Sequence, residues 1–233
     1  MAMPAGERLM TGRDYLGGLV ILVFFIAVLF LVSNVFFRGG DTIELEGVEV
    51  AEYEGEDLSS INDFRENSIR GPQYIDIDNY RLNVGGLVEE EKNYTYEEII
   101  DRQSYSKIVT LDCVEGWSAT ILWEGIILRE LLGEVEIMPE ANTIIFYAYD
   151  GYTTSYPIEY IMDQDILMAY KMNGLTIVPE RGFPFQLVSE DKWGYKWIKW
   201  ITDIEFSDDE DYEGFWESRG YSNTGNLNEG FFG

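Results

Sequence analysis

One cysteine and no histidine set the terms for any chemistry this chain performs. Without histidine there is no Ser-His-Asp or Cys-His nucleophile system, no His-ligated zinc and no His-ligated haem. A single thiol, Cys113, excludes intrachain disulfides, cysteine-cluster zinc and protein-held iron–sulfur clusters. What remains are carboxylates, hydroxyls, that one soft metal ligand, or a cofactor brought in from outside. Cys113 stands where a β-rich run, residues 107–114 (KIVTLDCV), meets a Glu115-Gly116 turn, so its sulfur can leave the end of a sheet. A lone cysteine is ordinarily a small buried apolar residue. Asp112 and Glu115 beside it would raise the thiol pKa, which argues against a free thiolate nucleophile. A thiolate on a high-valent metal needs no such help, because the metal itself drives deprotonation.

The second candidate constellation is cationic. Arg181, Lys192, Lys196 and Lys199 fall within nineteen positions, offset there only by Glu190 and Asp191. An edge strand guarded by lysines would account for such a cluster. So would an anion pocket, with lysines as point charges and arginine as a fork for phosphate or carboxylate. Trp193, Tyr195, Trp197 and Trp200 interleave with these cations, and alternation sets Tyr195 and Trp197 on one face with Lys196 and Ile198 on the other. Aromatic walls beside cations suit a planar heterocycle bearing a phosphate. Residues 150–155 (DGYTTS) add three aliphatic hydroxyls beside a tight turn, read either as a plain hairpin or as donors to a cofactor.

These residues need a scaffold, and the composition supports one. The chain has 233 residues, 46% of them hydrophobic, with 43 acidic and 16 basic side chains and a net charge of −27. That is globular rather than disordered, and it excludes sequence-independent binding to nucleic acid. Residues 16–37 (LGGLVILVFFIAVLFLVSNVFF) carry no charge. As a helix they would span about 33 Å, enough for a hydrocarbon core of roughly 30 Å. No small-residue cleavage pattern follows, so the run reads as an uncleaved single-pass anchor. Arg8 and Arg13 on the near flank favour that end inside and the domain outside the cytoplasm. Residues 1–15 are then a short flank, 38–66 an acidic tether, 67–206 the domain, and 207–233 an acidic, then Gly/Asn-rich segment. Beyond residue 40 the net charge is −28. It reads as a solvated surface, and a halophilic protein binding divalent cations on its acidic face is a third, weaker reading.

Within the domain, alternation and turn residues predict many short strands and few short helices, an α+β, β-rich fold. Strands are expected over 80–87, 107–114, 143–149, 152–156, 166–172, 175–178, 185–188 and 197–206. Thr95-Tyr-Glu-Glu98 is a capping box opening a helix, Pro157 suits the start of a helix through Met162, and residues 125–132 read as a helix closed by Gly133. Asn173-Gly174 is the strongest hairpin signal.

Four segments in order resemble the molybdopterin-binding domain of the sulfite oxidase family, from about Tyr80 to Phe206. They are residues 112–118 (DCVEGWS), with Trp123-Glu-Gly125 and Leu131-Leu132 after it; residues 150–159 (DGYTTSYPIE); residues 169–174 (AYKMNG); and residues 194–200 (GYKWIKW). Residues 214–223 (GFWESRGYSN) look like the end segment of short members. The resemblance implies an oxidoreductase performing two-electron oxygen-atom transfer, with molybdopterin carrying molybdenum or tungsten, and the run 16–37 would anchor it to a membrane. Cys113 would be the protein thiolate on the metal, and Tyr195 would assist beside the reacting oxygen. Lys196 and Lys199, with backbone near Trp197, would cradle the pterin phosphate, joined by Asn67, Ser68, Arg70 and Arg181. Its substrate would be a small oxyanion or an S- or N-oxide, and with no haem ligands in the chain its electrons would pass to a separate partner such as a membrane cytochrome. Two departures stand out: Arg181 replaces the family's usual histidine, and Gln186 stands where a cofactor-binding arginine is expected. Arg8 and Arg13 are also not adjacent, so no twin-arginine export signal is present. These departures support the rival reading, a cofactor-free, membrane-tethered binding or structural module.

Overall fold

The alternating apolar runs close into two five-stranded sheets around one shared core, in a computed structural model that describes residues 49–233. The uncharged run 16–37 lies outside the described residues. Among the described residues no helix is long and apolar enough to cross a membrane. In chain order the elements are β1 (Glu52–Tyr53), β2 (Glu56–Asp57), β3 (Leu82–Gly86), β4 (Lys92–Tyr94), α1 (Tyr96–Ile100), β5 (Tyr105–Asp112) and β6 (Ser118–Ile127). There follow α2 (Leu128–Leu132), β7 (Thr143–Ala148), β8 (Thr153–Pro157), α3 (Ile158–Met162), β9 (Leu167–Met172), β10 (Leu175–Thr176), β11 (Gln186–Val188) and β12 (Ile201–Ser207). The β-rich fold with few helices is as expected.

One sheet runs β10-β9-β6-β5, with β11 pairing β9 beside β10; the other runs β4-β3-β12-β7-β8. In the second sheet β12 is parallel to β3 and antiparallel to β7. The core takes Ile126, Met168 and Leu187 from the first sheet and Leu82, Phe146 and Phe206 from the second, with Leu128 and Ile161 from the helices. Each fully buried large side chain contributes about 1.5–3 kcal/mol, so this shared layer holds the two sheets as one body.

Local signals explain several boundaries. Thr95 accepts from the backbone N–H of Glu98 while the Glu98 carboxylate accepts from that of Thr95, so α1 starts at the capping box. Asn173 and Gly174 take positive φ values of 47° and 81°, the twist a two-residue hairpin requires between β9 and β10. Buried Asn173 also accepts from Leu122 N at 3.0 Å and donates to Glu49 Oε1 at 2.8 Å and Ser59 O at 2.9 Å. The turn thereby ties the segment before residue 60, read as tether, against the first sheet.

Two expectations are corrected. Residues 125–127 are strand, not helix: β6 is ten residues long, and α2 begins only at Leu128. The reason is the close approach of β9, since a Cβ on Gly125 would lie 2.2 Å from the Met168 carbonyl oxygen, at the register shift between Glu124 and Gly125. Residues 197–200 are not strand either. Gly194–Lys196 form a single 3-10 turn and β12 starts at Ile201, because Trp200 adopts φ 54° and breaks the extended run.

Candidate active site

β5 and β6 form a hairpin whose connection, residues 113–117, folds on itself. Cys113 N donates to Trp117 O at 2.9 Å and Gly116 N to Cys113 O at 3.0 Å, with Gly116 at φ 82°. That positive φ suits glycine and holds the cysteine at the end of its strand. The thiol lines a cavity of about 190 Å³. Burial raises its pKa most; the Glu115 N–H, the Asn67 amide and Arg65 pull it down, while the Glu115 carboxylate pushes it up. The net shift is upward, so the residue rests as a thiol, suited to a metal ligand rather than to a free nucleophile.

The cavity walls are aromatic. Phe64, Trp117, Trp197, Trp200, Trp216 and Tyr221 all face it. Phe64 packs edge-on against Trp117 at 5.5 Å between ring centroids, and Trp197 lies 5.7 Å from Trp123 beneath the floor. Three polar groups in this wall lack hydrogen-bond partners among the described residues. Ser68 Oγ is fully buried without one, and Gln186, 3% exposed, makes none through its side chain. Lys199 is the third: Glu66 stands 3.6 Å from its ammonium, beyond hydrogen-bond distance, and the Trp200 ring lies 4.3 Å away. Burial pulls Lys199 down to about 8, against the raising effect of Glu66. Unsatisfied buried polar groups destabilise a protein unless something meets them. Ser68 Oγ is such a group, and beside it the uncommitted Gln186 side chain and the loosely paired Lys199 suit a ligand with anionic and hydrogen-bonding groups.

Trp200 explains how Lys199 is presented. Its left-handed backbone costs on the order of 1–2 kcal/mol for a residue with a side chain. Trp200 Nε1 donates to Pro179 O at 2.7 Å and its backbone N–H to Gly182 O at 3.3 Å, which hold it there. The chain turns sharply after Lys199 and leaves that side chain in the cavity wall.

The other residues expected at the site divide. Cys113, Tyr195, Asn67, Ser68, Arg181, Trp197 and Lys199 all line the cavity. Arg70 does not line it; its guanidinium lies against the Gly151 turn. Lys196 is turned away altogether. Its ammonium is fully buried and donates to Glu217 Oε1 at 2.7 Å, Ser155 O at 2.7 Å and Asn223 O at 3.0 Å. The expected alternation fails here: residues 194–196 form a 3-10 turn, Ile198 lines the cavity beside Tyr195 and Trp197, and Lys196 alone is carried away from it. Arg181 lines the cavity with its hydrogen bonds already given, Nε to Ile61 O at 3.2 Å and Nη2 to Phe64 O at 2.6 Å. It fixes the segment bearing Phe64, Asn67 and Ser68. The Tyr195 hydroxyl donates to Ser222 O at 2.7 Å, and burial raises its pKa. Trp197 donates its ring N–H to Lys192 O at 3.0 Å.

Sequence reasoning missed Trp216, Tyr221 and Glu217. All three belong to the segment after β12, whose only signal was the likeness of residues 214–223 to a family end segment. Glu217 is 2% exposed and accepts from Thr154 Oγ1 at 2.8 Å as well as from Lys196.

The family model described as an oxidoreductase molybdopterin binding domain matches residues 69–216. The oxidoreductase YuiH of Bacillus subtilis is 32% identical over 155 residues, which is 66% of this chain and 78% of that protein. The putative protein-methionine-sulfoxide reductase subunit YedZ1 of Azospira oryzae is 30% identical over 148 residues, 64% of this chain and 56% of its own. The catalytic subunit MsrP of a protein-methionine-sulfoxide reductase from Campylobacter jejuni is 27% identical over 170 residues, 66% of this chain and 57% of its own. The chain thus spans a little over half the length of these two reductase relatives. Among solved structures, the sulfane dehydrogenase SoxCD from Paracoccus pantotrophus shares the fold, with a TM-score of 0.58 and 23% identity over 66% of this chain and 43% of its own.

Two outcomes follow from the cations. Lys196→Met leaves the Glu217 carboxylate buried without its counter-charge and is expected to lose about 3–5 kcal/mol in urea unfolding, whereas Lys196→Met combined with Glu217→Leu recovers most of that loss. A single-mutant loss below about 1 kcal/mol contradicts the role given to the pair. Lys199 holds its proton less tightly folded, at about 8, than a free lysine at 10.5. Between those values the unfolded chain binds more protons, so stability rises with pH. Between about pH 7 and about pH 10 the ligand-free chain should gain at most about 2–3 kcal/mol relative to Lys199→Met. Parallel urea midpoints across that range would refute the assignment.

Proposed function

The chain belongs to the molybdopterin-binding oxidoreductase family, and we propose that it is a membrane-anchored enzyme catalysing two-electron oxygen-atom transfer. The single observation that carries the reading is one cavity lined by the only thiol, by a buried Ser68 hydroxyl with no hydrogen-bond partner among the described residues, and by Lys199, whose carboxylate partner Glu66 stands 3.6 Å away. Those residues fit the cofactor in kind: a soft ligand for the metal, and a cation with a hydrogen-bonding hydroxyl for the pterin and its phosphate. When bound, the molybdenum or tungsten centre supplies the redox chemistry, in which an oxide XO takes up two electrons and two protons to give X and water, or the reverse.

The protein's part is binding and placement. Cys113 gives up its proton and offers its sulfur to the metal. Lys199 takes the phosphate charge, with Gln186 and Ser68 donating to the same end. Arg181 acts as a positioning residue, since it holds the carbonyls of Ile61 and Phe64 and thereby the wall that carries Ser68. The aromatic rings exclude water from the cavity. Tyr195 is part of that wall, and its hydroxyl is held by Ser222. A small oxyanion or an S- or N-oxide is the substrate class, and the electrons pass to or from a separate partner such as a membrane cytochrome. The uncharged run 16–37 supports the anchor, with the domain outside the cytoplasm.

Metal analysis of the full chain purified from its native host tests this. The expected result is molybdenum or tungsten near one per chain, with dye-coupled oxygen-atom transfer lost in Cys113→Ala. Folded, metal-free protein would overturn the enzyme and leave the cofactor-free tethered module.

A further inference from the structure

A strand at the edge of a sheet presents a row of unpaired N–H and C=O groups, and proteins shorten, guard or cover such edges. Most edges of the two five-stranded sheets follow that rule. β4, β10 and β11 are only two or three residues long. β8 ends in Pro157 and is covered by the segment after β12: Phe215 N donates to Thr153 O at 2.9 Å, and a Cβ on Gly214 would lie 2.8 Å from Thr154 Cα. β5 is the exception. It runs eight residues, contains neither proline nor glycine, and pairs β6 in unbroken register from Tyr105 to Asp112. Its lysine does not guard the edge, because Lys107 Nζ is drawn to Asp165 O at 2.6 Å and Glu190 Oε1 at 2.5 Å. The free side of β5 follows from its partner. Thr120 N donates to Ser59 Oγ and Leu122 N to Asn173 Oδ1, both at 3.0 Å, so these residues of β6 turn their backbone groups away from β5. Thr110 and Ile108, which face them, therefore turn their own N–H and C=O outward, as does Ser106 by alternation. Among the described residues nothing meets these outward groups; only Asp112, at the strand's end, has a bridge on that side, to Trp193.

We propose that a second copy of this chain covers β5, antiparallel to it, with Ile108 on the twofold axis. Charge favours this occupant: in a chain of net charge −27, residues 103–111 (QSYSKIVTL) hold no acid, so two such strands meet without carboxylate repulsion. Hydrogen bonding and charge then choose the register, since outward residues must face outward residues. With Ile108 opposite itself, Ser106 faces Thr110 of the second copy and the reverse, three pairs that each exchange two hydrogen bonds. A register centred on Lys107 sets two ammoniums against each other. One centred on Val109 needs Asp112, whose edge Trp193 already occupies. A pairing of this size buries less than the roughly 1,200 Å² of a stable interface, so the dimer is concentration-dependent. It leaves both cavities open, because Cys113 follows the strand's end and the two copies of it lie about 34 Å apart along the paired strands.

Disulfide trapping in the purified full chain, in a mild detergent and without cofactor, tests this. Residues opposite each other in a hydrogen-bonded pair have Cα atoms about 5.5 Å apart, within disulfide reach. Under mild copper-catalysed oxidation Ile108→Cys should form a covalent dimer. Wild type, with Cys113 alone, and Ser218→Cys, on the exposed segment after β12, should stay monomeric. Ser106→Cys and Thr110→Cys, each about 14 Å from its own copy, should trap little alone, yet chains of the two mixed with different tag lengths should give the mixed dimer. In sedimentation Ile108→Lys, which leaves the β5–β6 bonds intact, should weaken self-association about 3- to 10-fold. Trapping of Ile108→Cys no greater than that of Ser218→Cys would leave the edge to a different protein's strand and overturn the proposal. A mixed dimer no more abundant than either self-dimer, or self-association that Ile108→Lys leaves within twofold of wild type, overturns it as well.

Discussion

A lysine ammonium with no exposed surface must find all its acceptors inside the protein, and Lys196 finds them in Glu217, Ser155 and Asn223. Glu217 and Asn223 lie on the segment that follows the last strand, so this buried pair draws the segment back over the domain. Lys192 repeats the device at the next turn, donating to Thr224 O at 3.0 Å and Asn226 Oδ1 at 2.5 Å. The segment then lays Trp216 and Tyr221 against the cavity. Arg181 does the same on the upstream side by gripping the carbonyls of Ile61 and Phe64. The sheets supply the floor and the cysteine loop, and buried cations hold the two chain segments that make the walls. A buried pair of this kind gains little net stability over a well-packed apolar one, yet breaking it is severe. What it adds here is a defined position for the segment that closes the site.

This arrangement resolves the contrast between a strongly acidic chain and the anion-binding cavity proposed for it. The net charge of −27 belongs largely to the exterior. The cations of residues 181–199 have been withdrawn inside, where charge is less screened. Arg181, Lys192 and Lys196 are occupied by backbone carbonyls and a carboxylate. Lys199 is left over, weakly paired, and its proton is held only loosely. In the proposed role, one incompletely satisfied cation among aromatic walls would discriminate a phosphate better than a surface of many competing charges. The departures at Arg181 and Gln186 then have a structural meaning. The arginine became a brace for the wall, and the glutamine stayed in the wall with its amide uncommitted.

What could be read from the residues alone were the features whose cause is local. The Thr95–Glu98 box, the Asn173-Gly174 turn and the Cys113-to-Gly116 turn each depend on neighbours within a few positions. Gly125 was misread because its reason to be glycine is the backbone of β9, more than forty positions on. Lys196 was misassigned for the same cause. Its residue type and spacing fit a phosphate cradle, but its partners stand 21, 27 and 41 positions away. The Arg181 acceptors are 117 and 120 positions away. No periodicity carries such information, whereas the cysteine segment singled out by the family likeness does line the cavity.

The central claim is that Cys113 supplies a sulfur to a cofactor-borne metal in this cavity. X-ray absorption at the molybdenum edge, on full-length protein purified with its metal, tests it most directly. The account predicts a sulfur shell that falls by one sulfur per metal in Cys113→Ser. An unchanged sulfur shell in that variant would contradict it, because the metal would then be held without the only thiol the chain possesses.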